Sequence, residues 1–368
     1  MKKCVICLVI GLSFFLSSCK PDMQHKTGWA IGWSEDNVTK VSTVSILKTA
    51  DGGATWSLQA CPSECEGYAG NDISAVTRRI AWAAMGGSDQ QGGILHTADG
   101  GATWTVQTLP DGMISQHMKS IKGMCTTRAW AVSLRGDVVH TVDGGRTWRL
   151  VPVRTAAGSA IPITAVNRMD VVGRDIWIVD VKGGAQGVIH SADNGLTWRR
   201  ETLPGMERQS TGPIVISAYD SRTAWAAMNQ TGQLWWTTDG GQSWNKSSDN
   251  LVATVDYDDI CASSASVVWI AINGDGWSGG FTARVTVTGG SFQTNLVPQY
   301  PYMMEGVSPV DDDKAWAVGQ KMASKEPGLP KSAIFYTEDG GATWQSQPLP
   351  AEAHDVTLWK VSFVGARR

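Results

Sequence analysis

The sequence predicts an all-β fold, a seven-bladed β-propeller built from four-stranded antiparallel blades. Three observations predict it. A phrase of the form Thr-x-Asp-Gly-Gly-x-Thr-Trp recurs through the chain, a second tryptophan lies upstream of each copy, and the two ends of the chain carry complementary parts of one blade. Repeats of about 40 to 50 residues made of short strands are typical of radially repeated four-stranded sheets.

The recurring phrase predicts a tight hairpin in every repeat. Its copies span residues 49–56, 97–104, 141–148, 191–198, 237–244 and 337–344, with a degenerate copy at 286–292. The complete copies carry a structural aspartate, namely Asp51, Asp99, Asp143, Asp193, Asp239 and Asp339. Glycine after aspartate reaches positive φ, while carboxylate and hydroxyl groups bind the backbone of the turn. In the degenerate copy Thr288 and Phe292 replace Asp and Trp, and we expect a looser turn there.

Two tryptophans in each repeat indicate how the blades pack. The tryptophan that ends the phrase begins the outermost strand D, where its ring can be buried against a neighbouring sheet. The upstream tryptophan lies in a short alternating strand B, which follows an inner strand A and precedes strand C. The upstream tryptophans are Trp29, Trp82, Trp130, Trp177, Trp225, Trp269 and Trp316.

The ends of the chain favour closure into a ring. Residues 28–32 form a strand B with no strand A before them, and residues 358–364 form a strand A with no blade after them. The C-terminal strand would complete blade 1 and remove two open edges. The alternative, an open solenoid, would leave both ends without caps. One propeller domain therefore accounts for residues 28–368.

The N-terminus predicts export and a lipid anchor. Residues 1–18 combine a basic start with an apolar run from Val5 to Leu16, which is too short to span a bilayer. Leu16-Ser17-Ser18-Cys19 resembles the lipobox of bacterial lipoproteins, in which the cysteine is acylated. Residues 19–27 would then be a lipidated tether, and the protein would lie in the bacterial cell envelope, facing the periplasm or on the cell surface. The alternative is an ordinary secretory peptide.

Composition narrows the classes of partner. The chain has 41 Gly, 18 Trp and a formal net charge of −3, so bulk charge favours no nucleic-acid partner. We expect a monomer with no cofactor and no metal. Cys61 and Cys65 could close a small disulfide loop in an oxidising compartment, and a metal pair is the weaker alternative because partner ligands are lacking.

The repeats resemble known families. The phrase resembles the Asp-box, or bacterial neuraminidase repeat. The fuller pattern, an apolar strand, a basic turn, a Trp-Ala-x-Gly strand and then the Asp-box, is similar to the seven-bladed propellers of the photosystem II assembly and stability factor family. This resemblance implies a non-enzymatic assembly factor that binds a membrane protein subunit. For this chain it implies a protein-binding or complex-assembly scaffold.

Basic residues recur in the turns between strands A and B and form a candidate partner-binding ring. The family resemblance implies an arginine patch for partner binding, and these turns are where its counterpart would lie. The alternative is that they are solvated turn residues, which contribute little energy. The ring consists of Arg78, Arg79, Arg128, Arg174, Arg222, Lys314, Arg367 and Arg368.

The opposite face carries longer and more varied loops, and binding residues often lie on such loops. A candidate patch there combines acids near the starts of inner strands with aromatic residues. Its members could build a cation site, a carboxylate pair for glycoside hydrolysis or an apolar contact. The plainer interpretation is that the acids are solvated rim residues. The patch consists of Asp72, Asp258, Asp259, Trp277, Tyr300, Tyr302, Glu305 and Asp355.

The competing function is a carbohydrate-active enzyme or glycan-binding protein. Sialidases share the Asp-box, but this chain has no Arg-Ile-Pro phrase and no convincing Tyr-Glu pair. It also has no phosphate-binding loop, His-Glu-x-x-His motif or Gly-x-Ser-x-Gly elbow. His96, His140 and His190 occupy equivalent strand C positions, where packing explains them better than metal ligation. We therefore predict no enzymatic activity and no catalytic residues.

Overall fold

The computed structural model describes residues 26–181, 187–201, 203–206, 214–229, 231–247, 256–274, 279–288, 291–322 and 328–365. Within these ranges the regular elements are 28 strands and two short 3-10 turns, Ser63–Cys65 and Ala351–Ala353. In the described ranges no helix has the length and apolar character needed to cross a membrane. The predicted signal peptide and Cys19 lie outside them.

The strands form seven separate four-stranded sheets, as the repeats predict. Each sheet is one blade whose four strands pair antiparallel from strand A to strand D, in chain order in blades 2 to 7. Blade 1 contains β1 (Gly28–Glu35), β2 (Ser42–Thr49) and β3 (Ser57–Gln59), and blade 2 contains β4 (Ala69–Ala75), β5 (Ala81–Gly86), β6 (Gly92–Thr97) and β7 (Thr105–Val106). Blade 3 contains β8 (Met118–Gly123), β9 (Ala129–Ser133), β10 (Val138–Thr141) and β11 (Arg149–Val151). Blade 4 contains β12 (Val166–Val172), β13 (Asp175–Asp180), β14 (Gly187–Ser191) and β15 (Arg199–Glu201).

The last three blades contain the remaining strands. Blade 5 contains β16 (Ile214–Ala218), β17 (Ala224–Met228), β18 (Leu234–Thr237) and β19 (Asn245–Lys246). Blade 6 contains β20 (Asp256–Ala262), β21 (Val267–Asn273), β22 (Phe281–Thr288) and β23 (Ser291–Pro298). Blade 7 contains β24 (Tyr302–Pro309), β25 (Ala315–Lys321), β26 (Ser332–Thr337) and β27 (Gln345–Gln347). The final strand, β28 (Thr357–Phe363), belongs to blade 1.

Blade 1 closes the ring as the chain ends predict. Strand β28 pairs antiparallel with β1, with Phe363 opposite Gly28 and Thr357 opposite Trp33. The sheet order is β28-β1-β2-β3, so one strand from the C-terminus joins three from the N-terminus. The open solenoid is therefore excluded.

The hydrophobic core is divided among the seven interfaces between neighbouring blades. Each of seven buried clusters in the described residues draws its side chains from two adjacent blades. Each cluster contains the upstream tryptophan of one blade and the Asp-box aromatic residue of the next. Trp82 and Trp148, for example, pack edge to face with ring centroids 5.6 Å apart. The predicted blade-to-blade role of the tryptophans is confirmed.

Side chains of the inner strands also tie each blade to the next. Hydroxyl oxygens of Ser74, Ser217 and Ser308 accept backbone N–H groups of the following blade at 3.0 to 3.1 Å. Ser362 on the closing strand β28 of blade 1 does the same, accepting the N–H of Ala75 in blade 2 at 3.1 Å. These bonds satisfy buried donors at the blade edges that face the channel.

The strands of blade 6 are described up to the degenerate Asp-box, but its turn residues 289–290 lie outside the described residues, so the looser turn stays a prediction. Strands β22 and β23 each have eight residues, and their ladder continues without a shift to the pair Thr288 and Ser291. Two residues therefore separate the paired ends.

Candidate functional site

The complete Asp-boxes are closed networks of hydrogen bonds. In the second box, Asp99 Oδ1 accepts the Thr97 hydroxyl at 2.9 Å and the Thr103 N–H at 3.0 Å, while Oδ2 accepts the Thr103 hydroxyl at 2.6 Å. Thr97 Oγ1 in turn accepts the Gly101 N–H at 2.8 Å. Hydrogen bonds from Thr103 lower the pKa of Asp99 to about 2. The carboxylate's bonds all serve the hairpin.

The strand C histidines are packing residues. His96, His140 and His190 stack on the upstream tryptophans of their own blades, with centroids 3.8, 3.9 and 3.5 Å apart. Burial lowers the pKa of His96 and His140 to about 4, so these rings are neutral at pH 7. His190 additionally hydrogen-bonds Asp175 and Glu201, each at 3.0 Å. No group of three or more His, Cys, Asp or Glu suited to a metal ion occurs within the described ranges.

The basic turns lie on the same face as the Asp-boxes. Backbone carbonyls of Arg79, Arg174 and Arg222 accept N–H groups of the adjoining box turns at 2.8 to 2.9 Å. Most of the ring residues are exposed, namely Arg78, Arg79, Arg174, Arg222 and Lys314, and Arg128 is half-buried. Arg367 and Arg368 lie outside the described residues. Because ionised box carboxylates alternate with these turns, the face carries mixed charge instead of one sign.

The opposite face is shaped by a β-bulge that recurs in the inner strands. In β4 the ladder passes from Gly70 directly to Asp72, which leaves Asn71 as the extra residue. The same shift occurs in β8, β12, β20, β24 and β28. The extra residues in these strands are Lys119, Asn167, Asp258, Glu305 and Trp359.

These bulged residues converge on one pocket at the mouth of the central channel, the mouth pocket. It has a volume of about 160 Å³ and is lined by the six extra residues together with Arg168 and Lys360. A bulge turns the side chain of its extra residue away from the regular alternation of the strand. Six blades thus each deliver one side chain to the same point.

A charged network fills the channel below the mouth pocket. Arg168 Nη2 lies 2.9 Å from Asp259 Oδ1 and Nη1 lies 3.7 Å from Asp72 Oδ1. Lys360 Nζ lies 3.2 Å from the same Asp259 oxygen. One layer deeper, Lys122 Nζ lies 2.7 Å from Asp170 Oδ1. Burial alone would lower the pKa of Arg168, but the carboxylates around it raise the pKa instead.

The network is also part of the scaffold. Asp72 Oδ2 accepts the Ser120 hydroxyl at 2.7 Å and the Ile121 N–H at 3.0 Å, both from the next blade. Asp259 Oδ2 likewise accepts the Val307 N–H of blade 7 at 3.1 Å. The interpretation of Asp72, Asp259 and Glu305 as solvated rim residues is wrong, because their exposed fractions are 5%, 1% and 6%.

Two carboxyl groups in the mouth pocket have strongly raised pKa values. Burial, with a further contribution from Asp258, raises the pKa of Glu305 to about 8. Burial also raises the pKa of Asp258 to about 6, partly offset by Lys360. Lys360 Nζ donates to the backbone oxygens of Asp258 and Glu305 at 3.1 and 3.4 Å, which brings the two bulges together. Burial and the charge of Lys360 lower the pKa of Lys119 in the same pocket.

The remaining members of the predicted patch do not line this pocket. Tyr302 is buried and packs edge to face on Phe335 with centroids 5.7 Å apart, so it belongs to the core. Tyr300 is exposed. Asp355 is exposed and lies 3.5 Å from Lys331. Trp277 lies outside the described residues.

The predicted disulfide is not formed in this structure. Cys61 and Cys65 are free thiols that are hydrogen-bonded to each other. This bond, together with burial, raises the pKa of Cys65. The pair is therefore in place for oxidation, and the disulfide stays a prediction.

Sequence reasoning found the acids of the channel and missed its cations. The cations occupy the same inner-strand positions as the acids: Lys119 corresponds to Asp258, Arg168 to Asp72 and Lys360 to Asp259. Each lies one or two residues before the apolar residue that recurs in strand A. Aligning the seven inner strands, in addition to the Asp-boxes, would have placed them in the channel. The bulges themselves have no signature in the sequence.

Comparison with known proteins finds one family model that matches part of the chain. Residues 113–276, less than half of the 368-residue chain, match a family model described as photosynthesis system II assembly factor YCF48. The chain resembles this family. No curated protein gives a significant match.

Solved propellers share the fold at low sequence identity. A structure titled "YCF48 bound to D1 peptide" is 17% identical with a TM-score of 0.60, and the match covers 87% of this chain and 94% of that one. YCF48 from Cyanidioschyzon merolae is 14% identical with a TM-score of 0.58, covering 86% and 97%. A protein from Lactobacillus plantarum is 11% identical with a TM-score of 0.53, covering 92% and 99%. At these identities the solved structures establish the propeller fold alone.

Proposed function

We propose that the chain is a non-enzymatic scaffold of the bacterial cell envelope that binds another protein, or a membrane complex, and assists its assembly. The similarity to the YCF48 family supports a protein partner, since one similar structure is titled as bound to a peptide. The ring of seven interblade cores supports a rigid platform. A rigid surface loses little conformational entropy when it binds.

The observation that carries the proposal is the repetition of exposed basic turns on one face. Arg79, Arg174 and Arg222 lie at equivalent positions of blades 2, 4 and 5, where their backbone carbonyls accept hydrogen bonds from N–H groups of the Asp-boxes. Their spacing is thus set by the blades instead of by flexible loops. Basic turns that alternate with box carboxylates suit a partner surface that also carries mixed charge, where electrostatic complementarity gives specificity and on-rate.

The test is capture of a partner from solubilised membranes by the purified full chain. Arg79, Arg174 and Arg222 changed together to Glu should lose the partner. A matched control changes Lys40, Arg135 and Lys331 to Glu, because these exposed residues lie on the opposite face and alter the net charge equally. Equal capture by both triple variants and the wild-type chain would show that the basic ring is not the binding surface.

Anchoring through Cys19 is a separate part of the proposal. Acyl chains at this residue would hold the propeller at a membrane surface and raise its effective concentration near a membrane partner. The Cys19→Ser variant should lose incorporation of labelled palmitate and move from the membrane to the soluble fraction. An unchanged distribution would favour the ordinary secretory peptide.

A glycoside hydrolase or glycan-binding protein is the second candidate, and the mouth pocket is the observation that favours it. Asp258 and Glu305 have pKa values of about 6 and 8, so near pH 7 one is ionised and the other protonated, as an acid–base pair requires. Hydrolysis of a panel of glycosides, lost in Glu305→Gln, would replace the scaffold proposal. The absence of turnover together with glycan binding would assign a lectin role.

A further inference from the structure

The mouth pocket contains two carboxyl groups that the protein pairs only incompletely. Glu305 is 6% exposed and lines the pocket, yet among the described residues its carboxyl group has no hydrogen-bond partner. Asp258 Oδ2 is also buried without a partner, although Asn273 hydrogen-bonds the same carboxyl group. Burial without hydrogen-bond donors disfavours the ionised carboxylate, which is why the pKa of Glu305 is raised. Both groups face a space that a ligand could fill.

The arrangement of the other charges decides the sign of that ligand. Arg168 and Lys360 are compensated from below by Asp259 and Asp72, at 2.9 to 3.7 Å. This leaves Lys119 against Asp258 and Glu305 in the pocket itself. In ring order Lys119 belongs to blade 3, whereas the two acids belong to neighbouring blades 6 and 7, so the acids share one wall. When both acids are ionised, that wall lacks one positive charge.

Shape and surface agree with an organic cation. The pocket volume of about 160 Å³ accommodates an ammonium or guanidinium group with a short alkyl chain. Trp359, whose exposed fraction is 36%, lines the pocket beside the acids, as the extra residue of the next blade in the ring. An aromatic face next to carboxylates is a favourable setting for such cations.

We propose that the mouth pocket binds a primary ammonium or guanidinium group, held between Asp258 and Glu305 and flanked by Trp359. The group comes either from a free alkyl amine or guanidine, or from a lysine or arginine side chain of a polypeptide. The site lies on the face opposite the basic ring and does not rest on the proposed function of that ring.

The charge state of Glu305 makes this binding dependent on pH. Because its pKa is about 8 in the empty pocket, the group is mostly protonated at pH 7, and a bound cation favours the ionised form. Affinity therefore rises with pH, by up to about tenfold per unit between pH 6 and 8, and levels off above pH 8. The charged groups that face Glu305 are Lys119, Arg168, Asp258 and Lys360. Among the acids, Asp258 adds a weaker dependence near pH 6.

The experiment uses the purified full chain in detergent and two probes. Propylguanidinium represents a free cation, and N-acetyl-arginine methylamide represents a side chain in a polypeptide. Binding is followed through the indole N–H signal of Trp359 in two-dimensional NMR, assigned with Trp359→Phe, and by calorimetry at pH 6, 7 and 8. Saturable binding that strengthens with pH is expected for at least one probe, and the probe that binds identifies the source.

Variants separate the site from non-specific attraction. Glu305→Gln should weaken binding at pH 8 at least tenfold and remove the pH dependence between pH 7 and 8. Glu352→Gln, an exposed acid on the loop leading to β28, is the matched control and should bind as the wild-type chain does. If Glu305→Gln does not fold, the pH series on the wild-type chain still tests whether a group with the pKa of Glu305 controls cation binding.

Three results would overturn the proposal: no binding of either probe at pH 8, binding that is insensitive to Glu305, or preferential binding of acetate. The last result would assign the pocket to an anion held by Lys119. Failure of the partner-capture experiment would leave these measurements unaffected, since they use neither the partner nor the basic ring.

Discussion

Replacement of Asp259 by Asn tests whether the charged network of the channel stabilises the ring. Asp259 is 1% exposed, and its Oδ1 lies 2.9 Å from Arg168 and 3.2 Å from Lys360. Its Oδ2 accepts the Val307 N–H at 3.1 Å, which joins blade 6 to blade 7. Asparagine keeps the size of the side chain but leaves two buried cations undercompensated.

The expected loss follows from the geometry. Breaking a fully buried ion pair by removing one partner costs about 3 to 5 kcal/mol, because the remaining charge stays buried. Urea unfolding followed by tryptophan fluorescence should therefore show a midpoint lowered by about 1 M, for an m value of about 3 kcal/mol/M. The fold should be retained below the transition, since the seven interblade cores are unchanged.

Asp355→Asn provides the matched control. Asp355 is 73% exposed and pairs with Lys331 at 3.5 Å, and such surface pairs contribute about 0 to 1 kcal/mol. Its midpoint should stay close to that of the wild-type chain. If Asp259→Asn unfolds at the same urea concentration as Asp355→Asn, then the buried charges do not stabilise the ring and the reasoning fails.

Three further predictions concern the blades. Trp148→Ala should lower the free energy of unfolding by about 3 to 5 kcal/mol, because it removes the packing of Trp148 against Trp82. The control Leu196→Ala, at an exposed position, should lower it by less than about 0.5 kcal/mol. Equal losses would contradict the interblade role of the tryptophan. Asp99→Asn should lower the free energy of unfolding at pH 7, and this loss should shrink below pH 3.8 and disappear near pH 2. The reason is that the folded Asp99 carboxylate has a pKa of about 2 and stabilises the turn only while it is ionised. Urea midpoints from pH 7 to 2 measure the loss, and a loss that does not vary with pH would refute the prediction. Truncation after residue 356 removes β28 and exposes the edge of β1. The shortened chain should therefore aggregate in size-exclusion chromatography or lose cooperative unfolding in urea. A monomer with the wild-type urea midpoint would show that the closure of the ring is dispensable.

Local chemistry explains why so much of the fold could be predicted from the sequence. Each Asp-box forms its own turn through contacts within seven residues, such as those of Asp99 with Thr97 and Thr103. The repeated tryptophans predict the interblade cores, because a large apolar ring in every repeat must be buried against a neighbouring sheet. Closure followed from matching an unpaired strand at one end with an unpaired strand at the other.

The channel shows what the sequence by itself does not determine. Spacing placed Asp72, Asp258, Asp259 and Glu305 near strand starts, but a solvated rim and a buried network have the same spacing. The bulges decide which of them enters the mouth pocket, and a bulge depends on how two paired strands share their register.

The sequence by itself thus determined the seven blades, their hairpins and their aromatic packing, since each of these depends on residues close together in the chain or on one repeated residue type. Only the tertiary structure decided that Arg168 and Lys360 compensate the channel acids while Glu305 stays unpaired. Those contacts join different blades, and the free energy of a buried charge is set by the partners that the closed ring brings within a few ångströms.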